Sequence, residues 1–196
     1  MFFLTFDRLG AHSYSRAPVS IPAPAAPADI PDQAVIGVRT FAAINATLST
    51  LTTVPATTPD VAGTYANVQQ QLPTVANLEG FLAAHQMGVT QLTVSYCNAL
   101  VKDTSRRASY FPSFSFTASP ASAFTTGGRE ALIEPLLKAL LAHEIGGNKL
   151  ENQADPDELR LELNLLIDRM RSSTGTTEIA MATCAAAFGS AVMLLQ

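Results

Sequence analysis

The chemistry-bearing residues of this chain are few, and the first to weigh is His143-Glu144. A zincin pair needs a second histidine three residues beyond the glutamate, and that position is Gly147. A glycine pair follows instead, so His143 is expected to close a helix, where a cation suits the negative end of the dipole. His85 falls on an apolar stripe beside Gln86 and Met87 and reads as a core or interface histidine. His12 has no local partner type. Gly127-Gly128 and Gly146-Gly147 read as turns or caps and form no phosphate loop. No nucleophile elbow, Ser/His/Asp ordering or heme-attachment motif is present. The carboxylates Asp60, Asp157, Glu158, Glu162 and Asp168 sit at expected helix starts or outer faces. The expectation is therefore a protein that is not an enzyme, with no catalytic residues, no metal site and no cofactor.

Two features carry more. Cys97 and Cys184 lie about 87 residues apart, which matches no zinc or redox spacing, since those need close pairs. A disulfide is expected, against the alternative of two buried free thiols. Closing so long a loop would stabilise by roughly 4–5 kcal/mol in the chain-entropy account. The second feature is the aromatic run Tyr110, Phe111, Phe114 and Phe116 within 110–124. It is a candidate ligand surface, and core packing of a long loop is its alternative. Asn45-Ala46-Thr47 fits a glycosylation sequon but falls inside an expected helix, so it is taken as chance.

Composition bounds the partners. The chain has 196 residues, 47% of them apolar and only 14% charged, where about a quarter is usual. Thr, Ser, Ala, Asn and Gln stand where Lys and Glu would be common, a bias associated with exported bacterial proteins. A net charge of −4 and a single adjacent basic pair, Arg106-Arg107, exclude nucleic acid as a main partner. Without basic amphipathic stretches a membrane-surface role is not expected either. The uncharged stretch from Ile179 to Leu195 is short and rich in small residues, so it reads as a buried helix and not a span. The start, Met1-Phe2-Phe3-Leu4-Thr5-Phe6-Asp7, lacks a basic region and is cut by Asp7 and Arg8, so it is not read as a signal peptide. The expected location is extracellular, at the cell surface or in the periplasm, as a mature chain or part of a longer one.

The elements that must position these residues fall into three parts. Residues 1–16 read as an extended arm, with Phe2, Leu4 and Phe6 alternating against Phe3, Thr5 and Asp7 and Tyr14 continuing the β-prone bias. A lone strand is unstable in water, so the arm is expected to pair with another copy of the chain or with an upstream domain. Residues 17–31 form a Pro/Ala linker. Residues 32–196 read as a helical domain, giving an all-α bundle of five or six helices with an extended N-terminal arm and one inter-helix disulfide.

The expected helices cover about 33–52, Pro59-Asp60 to Pro73, Thr74 or Asn77 to about 100, 128–143, 155–171 and 176–195. The third has a stripe of Leu78, Phe81, Leu82, His85, Val89, Leu92, Tyr96 and Leu100. The fifth opens on Asp155-Pro156-Asp157-Glu158, a cap, a first-turn proline and two dipole-matched acids. The sixth is apolar or small on every side and belongs at the centre. Residues 103–126 read as irregular and aromatic-rich.

Three stretches also bear a resemblance. Phe81-Leu82-Ala83-Ala84-His85-Gln86-Met87-Gly88-Val89-Thr90-Gln91-Leu92, then Tyr96-Cys97-Asn98-Ala99-Leu100-Val101, then Thr183-Cys184-Ala185-Ala186-Ala187-Phe188-Gly189-Ser190-Ala191 resemble a C-terminal helical region of large exported gammaproteobacterial proteins. Those proteins carry a concanavalin-like LamG domain upstream. The likeness covers about residues 33–196 and implies location and context, not chemistry. A LamG sandwich does not fit within this chain. The function expected is a non-catalytic structural or interaction module of a secreted or surface assembly, its arm donated to a neighbour. The alternative is an extracellular ligand- or glycan-binding module using the aromatic segment.

Overall fold

A computed structural model describes residues 39–70, 83–141 and 155–190. The arm and linker calls, including Phe2, Leu4, Phe6 and Tyr14, lie outside these residues, as do His12 and His143.

The described chain is all-helical. Its elements are α1 (Phe41–Thr52), α2 (Pro59–Gln69), α3 (Ala83–Lys102), α4 (Thr104–Tyr110), α5 (Pro120–Ala123), α6 (Thr126–Leu141), α7 (Pro156–Met170) and α8 (Thr176–Phe188). Eight helices among the described residues replace the expected five or six, and the two additions, α4 and α5, both lie in the stretch read as irregular. The cause of α4 is local: the Asp103 carboxylate accepts from the backbone N–H groups of Ser105 and Arg106, each at 3.0 Å. The cause of α5 is Pro120, preset for a first turn, after Ser119.

Caps account for some of the other ends. Thr40 accepts from Ala43 N–H at 3.2 Å and starts α1. Thr53 ends it in the left-handed region at φ 58°, a conformation costly for a β-branched residue. Asp155 caps α7 through Asp157 N–H at 2.9 Å, ahead of Pro156, as its sequence predicts. The helix expected from about 128 starts at Thr126, so Gly127 and Gly128 belong to the first turn of α6 and form no separate turn. A side-chain carbon at Gly128 would overlap the Ala123 carbonyl oxygen, so glycine is what lets α5 approach α6 this closely. Pro135 lies inside α6 and withdraws one ladder donor. The helix continues through it because Leu132, Ile133, Leu136 and Leu137 are all buried on either side.

The core is organised around α3 and α8. Their interface is the most extensive among the described helices, and α3 also packs on α1 and α2 while α8 also packs on α6 and α7. Cys97 pairs with Cys184, and Gln86 Nε2 donates to Gly189 O at 3.2 Å. Along α3 these contacts run backward while along α8 they run forward, so the two helices are antiparallel. On α8, Ile179, Ala180, Thr183, Cys184, Ala185, Ala187 and Phe188 are buried, so about two thirds of the circumference faces protein, with Glu178 and Ala186 exposed on the remainder. Threonine enters this interior by satisfying its own hydroxyl. Thr93 donates to Val89 O and Thr183 to Ile179 O, both at 2.8 Å. Among the described residues no buried side-chain nitrogen or oxygen lacks a partner.

Candidate functional site

The disulfide is the best-defined special feature. Cys97 on α3 and Cys184 on α8 are both fully buried, with Cα atoms 5.8 Å apart. The bond joins the two helices that organise the core. Its loop of 87 residues takes in α4 to α7, so every element on that side of the bundle is tethered at its root.

The aromatic segment turns largely inward. Phe111 and Phe114 are buried, Phe116 is partly buried, and Phe124 completes the group. Phe114 meets Phe116 edge-on at 4.9 Å between ring centres and Phe124 at 5.4 Å. Arg107 lies 4.9 Å over the Phe116 ring and donates to Val101 O at 3.2 Å. Tyr110, half-buried, lines a cleft. Its hydroxyl donates to Leu51 O at 2.9 Å, tying α4 to the end of α1. Burial pushes its phenol up to about 12.

Three of the surface clefts among the described residues border the core. The largest of the three, about 690 Å³, lies between the end of α1, α4 and α6 and is lined by Leu51, Tyr110, Pro135, Arg106 and Lys138 among others. A second, about 410 Å³ between α2 and α3, is lined without charge by Thr64, Asn67, Val68, Thr90, Gln91, Val94, Ser95 and Asn98. The third, about 460 Å³, lies between α6 and α7 and is bridged by ion pairs.

Those ion pairs define the α6–α7 seam. Arg129 Nε donates to Phe124 O at 3.1 Å and Nη1 to Asn164 Oδ1 at 3.3 Å, while the guanidinium also engages the Asp168 carboxylate. Arg160 Nε donates to Glu134 at 2.8 Å, and Arg160 also pairs with Asp157. The Arg129 hydrogen bond holds the Asp168 carboxyl below its usual range, and the Glu134 bond raises the Arg160 guanidinium. Asp103 is likewise held low, chiefly by the Arg106 backbone N–H.

His85 is buried on α3 and is engaged by a neighbour. Among the described residues no three His, Cys, Asp or Glu side chains gather as metal ligands, and no helix is long and apolar enough to cross a membrane.

One surface escaped the sequence reading. Leu161 and Leu165 on α7 are 59% and 40% exposed, whereas Leu163 and Ile167 on the same helix are buried. Helical spacing picks out Leu159, Leu163, Leu166, Ile167 and Met170 as the inner stripe, and all five are buried or half-buried, but it does not single out the two leucines left outside as a surface. Compared with known proteins, the chain matches no family model, no curated protein and no solved structure.

Proposed function

We propose that this chain is a non-catalytic structural module of a secreted or cell-surface bacterial assembly, its N-terminal arm donated to a neighbouring subunit or an upstream domain. The observation that carries the reading is the buried Cys97–Cys184 disulfide at the centre of the bundle. Structural disulfides belong to oxidising compartments. A bond that ties α3 to α8 produces a rigid body rather than a mobile site. The low charge of the chain agrees with the same compartment. The sequence supplies the connecting part: alternating Phe2, Leu4 and Phe6 on a strand-like arm, followed by a Pro/Ala spacer, is the pattern of a donated strand.

Light-scattering mass of the intact chain, beside a version lacking residues 1–31, tests it. Assembly by the intact chain alone is the expected result. Equal monomers of equal stability would contradict arm donation.

An extracellular ligand- or glycan-binding module is the second reading. It draws on one observation, that Tyr110 lines the α1–α4–α6 cleft together with Arg106 and Lys138. It is the weaker reading because the Phe111 and Phe114 rings are buried among other aromatics and present no face to a ligand.

A further inference from the structure

We propose that the outer face of α7 is a self-association surface that docks antiparallel onto the same face of a second copy of this chain. The surface is separate from the arm, and the inference does not rest on arm donation. At about 100° per residue, Glu158, Leu161, Glu162, Leu165 and Arg169 fall within about 100° of arc. All five are exposed, and they lie opposite the buried Leu163 and Ile167. Along the helix this stripe reads acid, leucine, acid, leucine, base.

Three features of the stripe call for a partner of this chemistry. Leu161 and Leu165 are two of only four large apolar side chains exposed among the described residues, and they are one helical turn apart. Glu158 and Glu162 are like charges four residues apart, which repel on one helix face. Neither they nor Arg169 makes an ion pair or side-chain hydrogen bond among the described residues, although the neighbouring Arg160 and Asp168 are committed to Glu134, Asp157 and Arg129.

A second copy covers the leucines and gives Glu158 and Arg169 partners, at the cost of bringing the two Glu162 carboxylates onto one flank about 3 Å apart along the helix axis. A twofold axis level with residue 163 sets Leu161 of each copy against Leu165 of the other. With about 1.5 Å of rise per residue, Arg169 then lies about 9 Å from the axis and Glu158 of the other copy about 7.5 Å, on the same side. Each twofold contact is thus made twice, two leucine pairs flanked by two Glu158–Arg169 pairs. The acid-to-base gradient makes the antiparallel arrangement attractive and the parallel one repulsive, so charge fixes the direction. A single helix face buries less than a standard interface, so the dimer is weak and concentration-dependent.

Sedimentation equilibrium of the intact chain at low salt tests this, with Glu158→Arg, Arg169→Glu, the double charge swap and Leu165→Asp. All four changes are on exposed positions, and unchanged circular dichroism serves as the control for folding. The wild type should dimerise reversibly. Either single swap should weaken the dimer by about tenfold or more, because each converts two attractive pairs to repulsive ones. The double swap should return it to within about threefold of wild type, and Leu165→Asp should abolish it. A wild-type chain that stays monomeric to about 1 mM overturns the proposal. So does a dimer indifferent to the swaps. Association that disappears on removing residues 1–31 but ignores the α7 changes assigns assembly to the arm and likewise overturns it.

Discussion

The α3–α8 seam and the α6–α7 seam both join antiparallel helices, and they are held by opposite chemistry. At α3–α8, small residues, self-satisfied threonines and a covalent bond meet, and the seam itself carries no charge. At α6–α7, Arg129 reaches Asn164 and Asp168 while Arg160 reaches Glu134, so guanidinium groups do the joining. The first seam can be buried on all sides because nothing in it needs water. The second must stay near the surface, since charged pairs are costly to desolvate. That position leaves α7 with an outer face, and on it stand the exposed leucines. In this molecule the interior seam supplies rigidity and the outer seam supplies a surface.

The largest effect should come from breaking the interior seam. Replacing Cys97 and Cys184 together by alanine should lower the free energy of unfolding by roughly 4–5 kcal/mol, measured by urea denaturation, because the 87-residue loop is no longer closed in the unfolded chain. That is a large share of the total for a domain of this size. A loss under about 1 kcal/mol would move the burden of stability elsewhere.

The outer seam should break more gently. Arg129 keeps only 17% of its side chain exposed, so Arg129→Met retains its packing while leaving the Phe124 carbonyl and Asn164 side chain without their donor. The expected cost is about 1–2 kcal/mol at neutral pH. Its pH dependence follows from Asp168. The carboxyl is held below its usual range in the folded chain, so it contributes stability above its unfolded pKa and loses it as pH falls through the folded one. The gap between wild type and Arg129→Met should therefore narrow in acid. A gap that widens there would show that Asp168 is not the partner that matters.

Part of this contrast is legible in the sequence, and the reasons differ by element. The start of α7 is written in Asp155-Pro156, and the central place of α8 in its lack of any charge after Glu178. The pairing of Cys97 with Cys184 follows from there being two cysteines, both in apolar surroundings. Helices α4 and α5 were obscured for a physical reason. Each is too short to show a period, and the aromatics after Tyr110 suggest extended chain, although Asp103 is a sound cap signal. Gly128 misleads in a similar way, since its role is close approach between helices and not a turn. For the surface, Tyr110, Phe111, Phe114 and Phe116 look alike in sequence, and burial alone separates Tyr110 at a cleft from Phe111 and Phe114 in the core. The inner stripe of α7 is legible from helical spacing, whereas the exposure of Leu161 and Leu165 depends on which neighbours pack beside the helix.

The central claim is that stability resides in the stapled α3–α8 seam and that α7 is carried on it. Native-state hydrogen exchange of the intact chain, read before and after reduction of the disulfide, tests this most directly. The account predicts that amides of α3 and α8 exchange last, at the rate of global unfolding, with α7 faster, and that reduction speeds the slowest amides towards the rate of α7. Slowest exchange in α6 and α7, unchanged by reduction, would contradict it.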